Sequence, residues 1–394
     1  MRKALLRALW LTILIAGTPP GTTLAAGLDR SFFARVDRGL AGGLEIFNAP
    51  GLSVAIVEGG EIIYAKGFGF ADKSNGIPAD ADTLYYIGST TKALTATLAM
   101  ILRDRGIVAL DAPVQDYLPA SVRVPRDPAG KSQITLRHLL SHTAGLPKDP
   151  PNRKNLKIEG PVDPAVWDVY NIPDLYEALA TTELKSAVGE RWRYSNMGMG
   201  LAGHVLERAA GKPYEALLKE HILEPLGMSD TAITLDESQV RRLAAFYWDA
   251  EGNRTEQPRA RFGEVAAMGG VTSSVRDMAK FAILQLKEHD RPGDPISRAT
   301  LEEMRVPVTD TGRAFLGVRM KMGIGWWIRS PKGGAVSYEH AGEVDGHTSA
   351  FWYSPEHDVA AVILCNTANL STLILQAWLV RILEEAATAL GEKQ

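Results

Sequence analysis

A serine and a lysine three residues apart, Ser89 and Lys92 in Gly88-Ser-Thr-Thr-Lys92, open a segment whose apolar residues recur at helical spacing: Leu94, Leu98, Ile101 and Leu102. Residues three apart on a helix share a face, so the hydroxyl and the amine can meet. A serine hydroxyl is a weak nucleophile until a neighbouring base takes its proton. A lysine whose pKa is lowered by desolvation can be that base. The positive end of the helix favours an alkoxide at this place. Taken alone the pair is a weak signal, because both residues are common and the same letters describe a serine N-cap followed by a solvated lysine.

Two further elements carry chemistry. Tyr194-Ser-Asn196 lies in a Gly-bounded segment just before the helical run from Leu201 to Gly211, and it is the only Tyr-x-Asn in the chain. A phenol can shuttle a proton to a leaving group, and a carboxamide can hold a substrate amide or orient a lysine. His340-Ala-Gly342 follows much later, with Glu343 next and a strand-like run from His347.

These residues need elements to position them. Gly51 to Val57 and Ile62 to Phe70 are β-prone runs joined through Gly59-Gly60, which reads as a hairpin. From Ser89 to about Ile233 the pattern is helical, broken by Pro- and Gly-rich connections. A long polar insertion between Lys148 and Asp174 has the length of a functional loop and is a candidate wall of the site. Strand signals return at Gly325 to Ile328, His347 to Tyr353 and Val359 to Cys365, and a last helix is expected over Leu370 to Leu390. Strands at both chain ends around a helical middle predict a mixed α/β (α+β) fold. In it a central antiparallel sheet is flanked by N- and C-terminal helices and carries an inserted all-helical domain. The expected boundaries are 1–26 for a leader, 27–88 with 265–394 for the sheet domain, and 89–264 for the helical domain.

The leader shows in Arg2, Lys3 and Arg7 before an apolar run from Ala8 to Gly17 and a small-residue end at Ala25-Ala26, the layout of a secretory signal. The run is about half of the ~20 residues that cross a bilayer, so no stable membrane span is expected after cleavage. Loss of the three cations lowers the formal charge of −3 further, and acidic and basic residues are interspersed. Nucleic acid is therefore not expected as a partner. The single cysteine, Cys365, excludes an intrachain disulfide and reads as a buried structural thiol. The chain gives no sign of its oligomeric state.

The three motifs, in this order and spacing, resemble the serine β-lactamase and penicillin-recognising superfamily, in the branch with class C β-lactamases, DD-carboxypeptidases and β-lactamase-like esterases. Pro50 to Val57, Arg137 to Pro147, Glu224 to Thr231 and Gly269 to Phe281 are also similar to family segments. The resemblance spans nearly the whole chain after residue 26. It implies that Ser89 is acylated, Lys92 accepts its proton, Tyr194 is the acid/base and Asn196 contacts substrate. His340, Gly342 and Glu343 would line the substrate, with the backbone N–H groups of Ser89 and Glu343 holding the oxyanion. Neither cofactor nor metal is implied. The expected activity is that of an exported, periplasmic serine acyl hydrolase acting on an ester or a D-amino-acid peptide or amide. β-Lactam hydrolysis and the binding of cell-wall peptide by an idle member are the alternatives.

His340 stands where many β-lactamases carry lysine, and esterases and some DD-peptidases of the family share the histidine. An unperturbed imidazole is mostly neutral at pH 7 and would add a titration near neutrality. Lys321-Met-Gly323 and Lys332-Gly-Gly334 also fit a Lys-x-Gly pattern, but neither precedes a strand entry like that after His340. His138 and His142 read as holding a loop and a helix start, and no zinc-ligand spacing is present. Ser141 beside His142 is no dyad, because adjacent residues on a helix face apart. Gly-x-Ser-x-Gly is absent around Ser89, against an α/β-hydrolase. Trp326 and Trp327 read as core packing, with a cleft lining as the second option.

Overall fold

The computed structural model describes residue 28 and residues 30–152, 170–250, 253–257, 262–315, 317–332, 334–344, 346–368 and 377–383. The leader expected over 1–26 and most of the insertion between Lys148 and Asp174 lie outside these residues. So does most of the last helix, of which residues 377–383 are described and helical.

In chain order the strands are β1 (Gly51–Glu58), β2 (Glu61–Asp72), β3 (Ile77–Pro78), β4 (Tyr85–Tyr86), β5 (Phe246–Ala250), β6 (Asn253–Gln257) and β7 (Thr272–Ser273). They continue as β8 (Thr309–Phe315), β9 (Val318–Met322), β10 (Trp327–Arg329), β11 (Ser337–Val344), β12 (His347–Ser354), β13 (Val359–Cys365) and β14 (Thr367–Ala368). Nine of them form one antiparallel sheet in the order β3-β2-β1-β13-β12-β11-β10-β9-β8. The two chain ends thus meet at its centre, where β1 pairs with β13.

That central position explains why Val359 to Cys365 lacks polar alternation. Leu52, Val54 and Ile56 of β1, with Val359, Ala361, Ile363 and Cys365 of β13, pack on one face against Phe32, Val36 and Leu40 of the helix Arg30–Phe47 and against Leu379 and Leu383. Ala55, Val57, Ala360, Val362 and Leu364 point to the other face and join the large core that holds Met278, Phe281 and Ala282 of the helix Val275–Leu286. Successive strand residues alternate faces, and both faces are covered, so every position of β13 is apolar. Gly39 lets the first helix cross close to the last, since a Cβ there would strike the Trp378 ring.

The β1–β2 turn places Gly59 and Gly60 at φ +62° and +73°, a pair of left-handed residues that closes a tight hairpin. The apolar residues of the helices Thr91–Asp104, Leu136–Leu140, Ile172–Thr181 and Asn196–Ala210 belong to the same core as that second face of the sheet. The hairpin β8–β9 is an addition to the sequence reading. Its edge strand, Thr-Asp-Thr-Gly-Arg-Ala-Phe, is mostly exposed and has no apolar alternation to reveal it. β11 is a second addition: His340-Ala-Gly342 sits within a strand of its own, ahead of the one that begins at His347.

Candidate active site

The turn that carries Ser89 begins where β4 ends. Tyr85-Tyr86 pairs with Thr272-Ser273, and Ile87 N–H donates to Val271 O at 2.9 Å, so the chain reaches Gly88 already anchored. Gly88 takes φ +51°, and a Cβ there would come within 2.7 Å of Glu343 N. A single turn of 3-10 helix, Gly88–Thr90, then feeds the helix Thr91–Asp104. The helix has no side-chain cap, so Ser89 does not serve as an N-cap. Thr90 Oγ1 meets Ser349 Oγ at 2.8 Å, and Ser349 Oγ donates to Ile87 O at 2.6 Å, which ties the turn to β12.

Lys92, one turn on, is 1% exposed and is therefore no solvated surface lysine. Its Nζ donates to Ser89 Oγ at 2.9 Å and to Met268 O. Burial lowers its pKa from the ordinary 10.5 to about 7, opposed by Asp149 and aided by Lys148. An amine that is half neutral at pH 7 and hydrogen-bonded to a hydroxyl can take that hydroxyl's proton.

Tyr194 enters from the helical layer. Ser195 caps the helix Asn196–Ala210, its Oγ accepting Gly198 N–H at 2.8 Å and donating to Pro147 O at 2.6 Å. Burial raises the Tyr194 pKa, and the nearby Ser89 side chain acts in the opposite direction. Lys92 Nζ lies 5.0 Å from the centroid of the Tyr194 ring. Ser89, Lys92 and Tyr194 thus form one connected cluster. Asn196 is beside it, with Nδ2 donating to Asp149 Oδ1 at 2.8 Å and its backbone N–H donating to Lys148 O at 2.6 Å.

β11 closes the other side. Gly342 has no room for a side chain, because a Cβ would clash with Ile87 O and lie 2.8 Å from Ser89 N. The two glycines, 88 and 342, let strand and turn approach so closely that the backbone nitrogens of Ser89 and Glu343 border one contact, while the Glu343 side chain is exposed. His340, on the same face as Gly342, is 2% exposed. Its Nδ1 lies 2.9 Å from Ala341 O and must donate to that carbonyl, leaving Nε2 as the acceptor. Burial, then the charge of Lys92, pushes its pKa down to about 3. The titration near neutrality expected of His340 is therefore corrected: desolvation holds the ring neutral across the physiological range. Lys321 and Lys332 are exposed and absent from the cavity lining.

These groups border a cavity of about 700 Å³ whose lining includes Ser89, Tyr194, Asn196, His340, Gly342 and Glu343. Lys148, at the start of the long insertion, also lines it. The tryptophan pair divides: Trp326 is fully buried against Phe281, Phe351 and Tyr353, whereas Trp327 lines the cavity and meets Trp192 edge-on at 5.0 Å. Arg313, from the β8–β9 hairpin, stacks its guanidinium over Trp192 at 5.0 Å and joins the same wall. No spacing rule marks Trp192 or Arg313, which come together only through the hairpin.

His138 acts as read, completing a capping box with Thr135 at the start of Leu136–Leu140. Ser141 donates to Arg137 O at 2.7 Å, consistent with no dyad. His142 is more than a loop holder, since its ring packs 4.5 Å from that of Tyr194. Among the described residues no cluster of His, Cys, Asp and Glu is suited to a metal ion, and no helix is long and apolar enough to cross a membrane.

The family model described as Beta-lactamase matches residues 36–383. A D-alanyl-D-alanine-carboxypeptidase/endopeptidase, AmpH of Escherichia coli K12, is 28% identical over 327 residues, covering 82% of this chain and 81% of its own. The esterase EstB of Burkholderia gladioli is 33% identical over 267 residues, covering 64% of this chain and 62% of its own. Among solved structures, a β-lactamase/D-alanine carboxypeptidase from Yersinia pestis complexed with citrate superposes with a TM-score of 0.74 at 25% identity, over 91% of this chain and 99% of its own. With the family model spanning the sheet, the Ser89 turn and β11 alike, this chain belongs to the β-lactamase family of the serine β-lactamase/transpeptidase superfamily.

Proposed function

We propose that this chain is an exported serine acyl hydrolase that forms an acyl-enzyme on Ser89. The observation that carries the reading is the buried Lys92 amine, 2.9 Å from Ser89 Oγ and lowered to a pKa of about 7. Ser89 Oγ attacks the carbonyl carbon of an ester or of a D-amino-acid amide while Lys92 takes the hydroxyl proton. The N–H groups of Ser89 and Glu343 hold the oxyanion, an arrangement worth about 3–4 kcal/mol per donor in the transition state. As the tetrahedral intermediate collapses, the proton passes to the leaving alcohol or amine through Tyr194. Water then attacks the ester on Ser89; as the bond from the acyl carbon to Ser89 Oγ breaks, the acid leaves and a proton from that water passes through the cluster to Ser89 Oγ. Asn196, His340 and Gly342 line the bound substrate.

Neutral His340 supports ranking esters above β-lactams, because it offers no cation to a substrate carboxylate. Export to the periplasm rests on the Arg2–Lys3–Arg7 cluster, the apolar run and the Ala25-Ala26 end. Intact-protein mass spectrometry after incubation with penicillin, p-nitrophenyl butyrate and a D-Ala-D-Ala peptide tests the reading. The expected result is an acyl adduct from the ester or the peptide, absent in Ser89→Ala. Rapid cephalosporin turnover without ester hydrolysis would reverse the substrate order. No adduct with any donor, together with an Ser89→Ala variant that loses nothing, would make this a binding protein.

A further inference from the structure

We infer that His142 is a positioning residue for Tyr194, an assignment that rests on the acyl-enzyme reading of the site. Its carbonyl accepts the N–H of Arg193 at 2.7 Å, and its Nδ1 accepts the N–H of Ser195 at 3.2 Å. One residue therefore holds the backbone on both sides of Tyr194. Its ring also packs against the phenol, with centroids 4.5 Å apart and planes 40° from each other. Two backbone anchors and one ring contact constrain the height and direction of the phenol, whose hydroxyl must meet Ser89.

The local conformation is unusual. Leu136–Leu140 ends at Ser141, and His142 then takes φ +58°, a left-handed backbone that side-chain-bearing residues seldom adopt. That turn lets carbonyl and ring address the same downstream segment, Arg193 to Ser195. The short helix Leu136–Leu140 and the helix Asn196–Ala210 are thereby joined at the residue that carries the phenol. Because Nδ1 accepts a hydrogen bond, the proton of the neutral ring sits on Nε2. Burial, reinforced by Lys92 and His340, keeps the ring neutral, so it does not compete for the proton exchanged among Ser89, Lys92 and Tyr194.

The test is a double-mutant cycle on ester hydrolysis. His142→Ala should lower kcat on the order of 10- to 100-fold, the scale of an ångström-sized misplacement, with KM within about twofold. His142→Asn, which tolerates the left-handed backbone and keeps an acceptor for Ser195 N–H, should recover at least about a third of that loss on a logarithmic scale. In a Tyr194→Phe background His142→Ala should cost no more than about twofold, since the group it positions is already gone. Equal losses in both backgrounds, or a kcat within about twofold of wild type for His142→Ala, would overturn the assignment. If His142→Ala does not fold, the same comparison with His142→Asn decides it, and equal losses in both backgrounds again refute it. Failure of the underlying reading looks different: wild-type protein would then carry no adduct on Ser89.

Discussion

Replacing Lys92 with methionine separates catalytic value from stability. In the folded chain the amine titrates at about 7, against an ordinary 10.5, chiefly because it is buried. Between those two values the unfolded chain holds the proton and the folded chain does not, so the unfolded state binds more protons and stability rises with pH. The contribution of a depressed amine is fully present above its unfolded pKa and is lost as the pH falls to the folded one. Each pKa unit corresponds to about 1.4 kcal/mol, so wild type should gain on the order of 4 kcal/mol relative to Lys92→Met between about pH 7 and about pH 10. The substitution also strips a donor from Ser89 Oγ and from Met268 O. An unsatisfied acceptor costs about 1–3 kcal/mol, but that penalty is nearly independent of pH and moves the offset, not the slope. Urea unfolding of both proteins, followed by tryptophan fluorescence at several pH values across the window, measures the difference. A gap constant to within about 0.5 kcal/mol over about three pH units would refute a depressed Lys92, and the base would have to be sought elsewhere. Activity should be lost in Lys92→Met at every pH.

Ser89 acylation should rise about tenfold per pH unit up to a break near the Lys92 value of about 7, with no second break from His340, whose pKa is about 3. Two resolved breaks between about pH 5 and about pH 8 in the acylation rate would contradict the neutral His340. Gly342→Ala should destabilise the fold by about 1–3 kcal/mol and cost activity by about 100-fold, because its Cβ would push Ile87 O and the Ser89 turn aside; unchanged kcat and melting temperature would count against the close approach of β11. Cys365 is fully buried and its pKa is raised to about 12, so iodoacetamide should label it only after denaturation, and rapid labelling of native protein at pH 8 would show the thiol to be accessible.

Much of the architecture was legible because its signals are local. Gly59-Gly60 between two β-prone runs marks a hairpin, and the apolar residues of Ala93 to Leu102 mark a helix, whatever lies around them. The run Val359 to Cys365 was legible as a strand but not as one sandwiched between two layers, since that depends on helices distant in sequence. The edge hairpin β8–β9 left no periodic trace, because exposed strands need not alternate. Arg313 meets Trp192 only through that hairpin, so no local pattern marks the contact.

For the site, the residue types and their order along the chain point to the proposed chemistry: a serine and a lysine at the start of one helix, a tyrosine before another, and a histidine with glycine near the end. The protonation states belong to tertiary structure. The Lys92 pKa falls to about 7, and His340 ceases to titrate near neutrality, because burial removes the water that would stabilise their cations. The role of His142 also belongs to tertiary structure, since Arg193 and Ser195 reach it only when two helices far apart in sequence pack together. Desolvation and long-range packing are properties of the assembled fold, which is why neither can be read from spacing.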